Sequence, residues 1–185
     1  VHGSRGLGDV YKRQENNHHI VLSWLLGESH NPVELLESYL VSNILLDNSA
    51  SPLRKALENT DLGKSLSPLT GLEADHKELV FAAGLEGVDS NKQIEVEKLI
   101  LDCLEDIVSN GVSDELVKSS LHQLEIKQRE ITGSGIPYGL QIMLSCLPAC
   151  LHNDDPLKVL DLDSSFDVIK NCLLYTSDAA DERLR

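Results

Sequence analysis

The stretch "SLSPLTGLEADHKELVFAAGLEG", Ser65 to Gly87, decides how the chain is read. Ser and Gly punctuate it, and its second half, "ELVFAAGLEG", is compact and apolar. Short apolar runs bounded by turn residues form strands, whereas longer runs with a 3.6-residue period form helices. The stretch therefore predicts two strands, at 65–73 and 77–86, joined by an acidic turn.

Upstream, "HHIVLSWLLG" (His18 to Gly27) is a short run with β-branched and aromatic residues, ended by Gly, and predicts a buried strand. In "SHNPVELLESYLVSNILLD", Asn31 is placed to cap a helix with Pro32 first and Glu34 in the first turn. Leu36, Leu40 and Ile44, with Val33 and Tyr39, give that helix its apolar stripe. "SASPLRKALENTDLG" repeats the grammar: Ser51 as cap, Pro52 first, and a short helix ending near Gly63.

Downstream, Asp89 or Ser90 is expected to open a long helix whose inner face carries Val96, Leu99, Ile100, Cys103, Leu104 and Ile107. Gly111 suits a left-handed cap at its end. Ser113 caps the next helix, which runs to about Ile131, with Asp114 and Glu115 favourable against its dipole. "TGSGIPYG" (Thr132 to Gly139) reads as a loop. "LQIMLSCLPACLH" reads as an apolar helix interrupted by Pro148, and "NDDPLKVLDLDSSFDVIKN" as short helices with turns. The fold class expected is α+β: an antiparallel sheet with helices packed on one face, followed by a helical extension.

The two ends do not share this grammar. Asp9 to Gln14, "DVYKRQ", can be encoded as GAT GTG TAT AAG AGA CAG. The reverse complement, CTGTCTCTTATACACATC, read from its second base, encodes Cys-Leu-Leu-Tyr-Thr-Ser, which is Cys172 to Ser177. One inverted DNA repeat thus accounts for both ends, and it resembles the transposon end used to tag sequencing libraries. "SRGLG" and "DAADE" resemble the adaptor arms outside it. Residues 1–14 and 172–185 are expected to be adaptor-derived and are set aside from fold reasoning. The remainder, 15–171, is expected to be an internal fragment, with an α+β domain at 15–132 and a helical extension at 133–171.

The whole chain has net charge −14; the first segment carries +2 and the last −1, so 15–171 carries −15. That balance disfavours sequence-independent binding to nucleic acid or to anionic membranes, which needs clustered Lys and Arg. No apolar run approaches the ~18 residues of a membrane span. With Cys172 set aside, Cys103, Cys146 and Cys150 remain, without metal-ligand spacing. Cys146 and Cys150 sit four apart and share a helix face. They are expected as buried reduced thiols, in a reducing compartment: cytoplasm, or mitochondrial matrix in a eukaryote.

Spacing alone yields no chemistry. Neither His-x-x-Glu-His nor His-Glu-x-x-His occurs. His18 and His19 are adjacent and would point to opposite faces of a strand. His122 and Glu125, three apart on a helix, read as a solvated contact, and His76 beside Asp75 and Glu78 reads as an exposed loop. No Gly-x-Ser-x-Gly occurs, and "TGSGIPYG" lacks the Gly-Lys-Ser/Thr ending and preceding strand of a phosphate loop. The carboxylates from Glu95 to Glu115 read as a solvated helix face. No catalytic, cofactor-binding or metal-binding residue is assigned.

The ungapped order does carry a resemblance. "SWLLGES" (Ser23 to Ser29), "LLDNSASPLRKALENTDLG" (Leu45 to Gly63), "ELVFAAGLEGV" (Glu78 to Val88) and "QLEIKQREITGSGIPYGLQIMLSCLPACLH" (Gln123 to His152) resemble the presequence-protease branch of the insulinase/pitrilysin zinc metallopeptidases. The resemblance implies a LuxS/insulinase-like half-domain: the second, metal-free domain of the N-terminal half of a clam-shell enzyme. Its last residues would lead toward the connection between halves. For the parent it implies zinc, held elsewhere on an inverted His-x-x-Glu-His helix, activating a water with the motif Glu as general base. The implied substrates are short unstructured peptides, the implied partner is the neighbouring catalytic domain, and the fragment alone would be inactive. A non-catalytic scaffold or assembly protein of the same fold is the alternative.

Overall fold

The structure is a computed structural model; it describes residues 18–130, 135–152 and 154–183, with backbone alone from 174 onward. The elements follow the expected order: β1 (His18–Glu28), α1 (Pro32–Leu46), α2 (Pro52–Glu58), β2 (Ser65–Leu66), β3 (Gly71–Glu73), β4 (Glu78–Val88), α3 (Gln93–Asn110), α4 (Asp114–Arg129), α5 (Tyr138–Leu151), a short 3₁₀ turn (Lys158–Leu160) and α6 (Leu162–Arg183). The sheet order is β1-β4-β2, with β3 also paired to β4. β2 and β4 are antiparallel, in the register Ser65 to Glu86 and Leu66 to Leu85. Ser29 N–H donates to the Lys77 carbonyl at 2.8 Å, while Gly84 lies against Ile20 and Val21. As numbers rise along β1 they fall along β4, so this pair is antiparallel too. The α+β class with an antiparallel sheet is the observed one.

The chain divides into two compact units that interleave in sequence. The first takes 18–24, 45–71 and 82–112 of the described residues. Its core is Leu53, Leu57, Leu85, Val88, Val96 and Ile100, all but fully buried. α2 packs on α3 and on β2. Ser51 stands at the N-cap of α2 with extended backbone, but its hydroxyl makes no capping bond; it accepts from Asn48 N–H at 3.3 Å. α3 places Val96 and Ile100 inward, as its periodicity requires, and ends at Gly111 with φ +73°.

The strand expected over 65–73 is broken at Pro68. Thr70 N–H donates to the Ser67 carbonyl at 2.9 Å, and Leu69 N–H to the Ser67 hydroxyl at 3.3 Å. Proline fixes the second position of this turn and has no N–H for a ladder. α3 begins at Gln93 rather than at Asp89 or Ser90, because Lys92 N–H closes a turn onto the Asp89 carbonyl at 3.0 Å before the helix opens. α2 stops at Glu58, short of Gly63.

The second unit takes 25–44, 72–81 and 113–183 of the described residues. Leu36, Leu40 and Ile44 of α1 are buried, with Leu79, Phe81, Leu124, Phe166 and Ile169 elsewhere in the unit. Asn31 caps α1: its Oδ1 accepts from Val33 N–H at 3.1 Å. Glu34 folds back to accept from Asn31 Nδ2 at 2.8 Å and from Glu28 N–H at 2.7 Å, a variant of the capping box. Ser113 caps α4 by accepting from Leu116 N–H at 3.4 Å.

Three expectations change here. β1 is not a buried strand: it stands at the end of the strand order, much of it is half-exposed, and Leu25 is 68% exposed. The buried strand is the central β4. The loop expected over 132–139 ends early, since Tyr138 and Gly139 already belong to α5 behind Pro137; residues 131–134 lie outside the described residues. Finally, one 3₁₀ turn and the long α6 replace the short helices expected before Asn171. Among the described residues no helix is long and apolar enough to cross a membrane.

Candidate functional site

Each group of polar side chains is placed by its own element. In the first unit, His18 and His19 both border a shallow cavity of about 440 Å³, together with Ser90, Gln93 and Glu97. His19 Nδ1 lies 3.2 Å from the Ser67 hydroxyl, which holds that ring. Two adjacent strand histidines reach the same cavity edge, but among the described residues no group of three metal-ligating side chains forms there.

In the second unit, His122 is exposed on α4 and Glu125 is spoken for. Glu125 lies 2.9 Å from Lys170 Nζ and 3.0 Å from Arg129 Nη2. The Lys170 hydrogen bond, with the charges of Lys170 and Arg129, holds the Glu125 carboxyl below the usual carboxylate range. Arg129 also donates to Asp163 at 2.6 Å, which raises its own pKa. This network ties α4 to α6 and engages the Glu125 carboxylate with two cations. His76 is exposed, as the loop reading expected.

The sequence reading missed His30. Its Nε2 lies 3.1 Å from Glu28 and 4.0 Å from Asp154, and its ring sits 6.0 Å from that of His152. Among the described residues the buried Nδ1 atom has no hydrogen-bond partner, and neither has the neighbouring Ser29 hydroxyl. Lys158 pairs with Asp154 at 2.7 Å and holds its carboxyl low. The only local signal was a histidine directly before the Asn31 cap; its partner Asp154 is remote in sequence.

The same unit holds a cavity of about 550 Å³ with a mixed lining that includes Ser29, Leu36, Tyr39, Asp75, Leu144 and Pro148. Burial, then the charges of Asp75 and Glu73, push the Tyr39 hydroxyl above its ordinary value, so it is a hydrogen-bond donor and not a base. Its lining mixes Leu35, Leu36 and Ile142 with Lys127, Glu130 and Gln141.

The comparison that decides the family is a match of residues 5–124 to the model of the peptidase M16 inactive domain. The chain belongs to this family. Among the relatives of this M16 domain is the mitochondrial presequence protease of Yarrowia lipolytica, 32% identical over 162 residues. That alignment covers 86% of this chain and 16% of the relative. Presequence protease 1, chloroplastic/mitochondrial, of Arabidopsis thaliana is 30% identical over 166 residues, covering 88% and 15%. Protein HypA of Clostridium perfringens is 26% identical over 166 residues, covering 89% and 17%. The chain therefore spans about one sixth of the length of the curated relatives it matches. A crystal structure of a candidate zinc protease from Bordetella pertussis Tohama I shares the fold, with TM-score 0.55 at 17% identity, covering 80% of this chain and 78% of that one.

The described residues of this M16 domain form no zinc centre. Among the described residues, no three or more His, Cys, Asp or Glu side chains are grouped to hold a metal. Where two donors share a face, as His122 and Glu125 do, the carboxylate is already engaged by two cations.

Proposed function

We propose that the chain is a non-catalytic wall domain of a zinc-dependent endopeptidase that degrades short unstructured peptides. The match to the M16 inactive domain carries this reading, supported by presequence proteases among the relatives. In this reading zinc sits in a neighbouring domain of the same parent chain, within its N-terminal half. This domain contributes a packed sheet and helices beside it. The net charge of −15 over 15–171 gives the wall a negative field that favours cationic peptides. The mitochondrial names of the relatives favour a matrix-type compartment for the parent, which detection of the parent in fractionated organelles checks.

The coding DNA that precedes residue 15 in the source genome tests the reading. A His-x-x-Glu-His motif within the preceding domain supports the peptidase. Its absence from a complete upstream frame overturns it in favour of a scaffold protein of the same fold. Cleavage by the parent that ignores both peptide charge and ionic strength removes the electrostatic part alone.

A further inference from the structure

The thiols expected to be buried on α5 are accessible: Cys150 is exposed, Cys146 is half-buried, and both are free. Packing explains the change. α5 turns Leu144, Ser145 and Pro148 to the cavity and leaves its thiol-bearing side outward, where Met143 is 60% exposed. An α-helix turns about 100° and rises about 1.5 Å per residue. Met143, Cys146 and Cys150 then fall within an arc of about 60° on one face, while Pro148 points to the far side. Residues four apart on such a face have Cβ atoms about 5–6 Å apart. Metal–thiolate bonds are about 2.3 Å long, so one ion can bridge two sulfurs at that spacing without unwinding the helix.

We propose that this face of α5 is a binding site for a soft, thiophilic monovalent cation, Cu(I), held by the Cys146 and Cys150 thiolates with the Met143 thioether as a weaker third donor. The donor set selects the ion. Thiolate and thioether sulfurs favour Cu(I) over the harder divalent ions, and a closed zinc site needs four ligands that this face does not supply. On binding, the two thiols release two protons, two copper–thiolate bonds and a weaker copper–thioether bond form, and no electron is transferred.

The test uses the full chain with its thiols reduced, the reductant removed, and Cu(I) kept reduced by ascorbate without oxygen. Bicinchoninate competes for the ion as a coloured indicator. The chain is expected to withdraw about one equivalent of Cu(I), and Cys146→Ser or Cys150→Ser is each expected to lose it. Cys103→Ser and Cys172→Ser are expected to keep it, and Met143→Leu to hold it more weakly. Circular dichroism of each variant shows that the helices persist. The proposal is overturned if either α5 cysteine variant still takes a full equivalent, if native mass spectrometry finds copper only between two chains, or if equimolar Zn(II) displaces it. An unchanged affinity in Met143→Leu overturns the three-sulfur form.

Discussion

Thr70 and Gly84 exchange a pair of hydrogen bonds: the Gly84 N–H donates to the Thr70 hydroxyl, and that hydroxyl donates to the Gly84 carbonyl, each at 3.1 Å. The side chain of Thr70 thereby substitutes for ladder bonds that the turn at Pro68 interrupts. The carbonyl has a second donor in Ser67 N–H at 3.0 Å, whereas the buried N–H depends on Thr70. Thr70→Val keeps the shape and removes the hydroxyl. It is expected to cost about 1–3 kcal/mol, the usual penalty for a buried donor left unmade. Urea denaturation of both proteins measures it.

Two glycine-to-alanine changes should have opposite signs. A Cβ on Gly84 would come within 2.7 Å of the Val21 Cα and would also collide with the Ile20 carbonyl, both backbone and unable to swing aside. Gly84→Ala should destabilise by about 3 kcal/mol, at the upper end for overpacking. Gly139, in the first turn of α5, has open space to 4 Å around the point where a Cβ would stand. Gly139→Ala should stabilise by up to about 1 kcal/mol through helix propensity. Thermal melts of the two variants check the signs.

Acid should weaken the link between α4 and α6. The Glu125 carboxyl is held below its ordinary value by Lys170 and Arg129. A depressed folded-state pKa contributes stability that is present above the unfolded value, about 4.3 for Glu, and is lost as pH falls through the folded value. Asp154 and Asp161 are shifted the same way and add to that limb. Glu125→Gln should lower stability at neutral pH and flatten its decline below about pH 4. Urea midpoints followed from pH 7 to pH 3 give both slopes; parallel slopes in the two proteins would remove Glu125 from the explanation.

We infer from the inverted repeat that residues 1–14 and 172–185 are not encoded by the natural gene. Long-read sequencing of the source locus, prepared without transposon tagging, should agree with 15–171 and diverge on both sides. A natural frame that continues through "DVYKRQ" and "CLLYTS" would contradict this.

Much of the fold was legible because its signals are local. Asn31-Pro32 and Ser113 mark helix starts by chemistry available within one turn, and the stripe Leu36, Leu40, Ile44 fixes which face of α1 is buried. What was misread depended on neighbours remote in sequence. The run His18 to Gly27 looks like a core strand, but its burial is set by its place at the end of the strand order. The thiols of Cys146 and Cys150 lie in an apolar stretch, yet α5 lines the cavity with Leu144, Ser145 and Pro148 on the opposite side. His30 meets Asp154 only through the folded second unit. The placement of His122 beside an engaged Glu125 needed Lys170 on α6.

In the proposed function this domain supports a peptidase without performing its chemistry. The direct measurement is hydrolysis of a fluorogenic, unstructured cationic peptide by the purified 185-residue chain, with zinc added and with a chelator added. No turnover above the buffer rate is expected in either condition. Zinc-dependent cleavage that the chelator abolishes would contradict the claim.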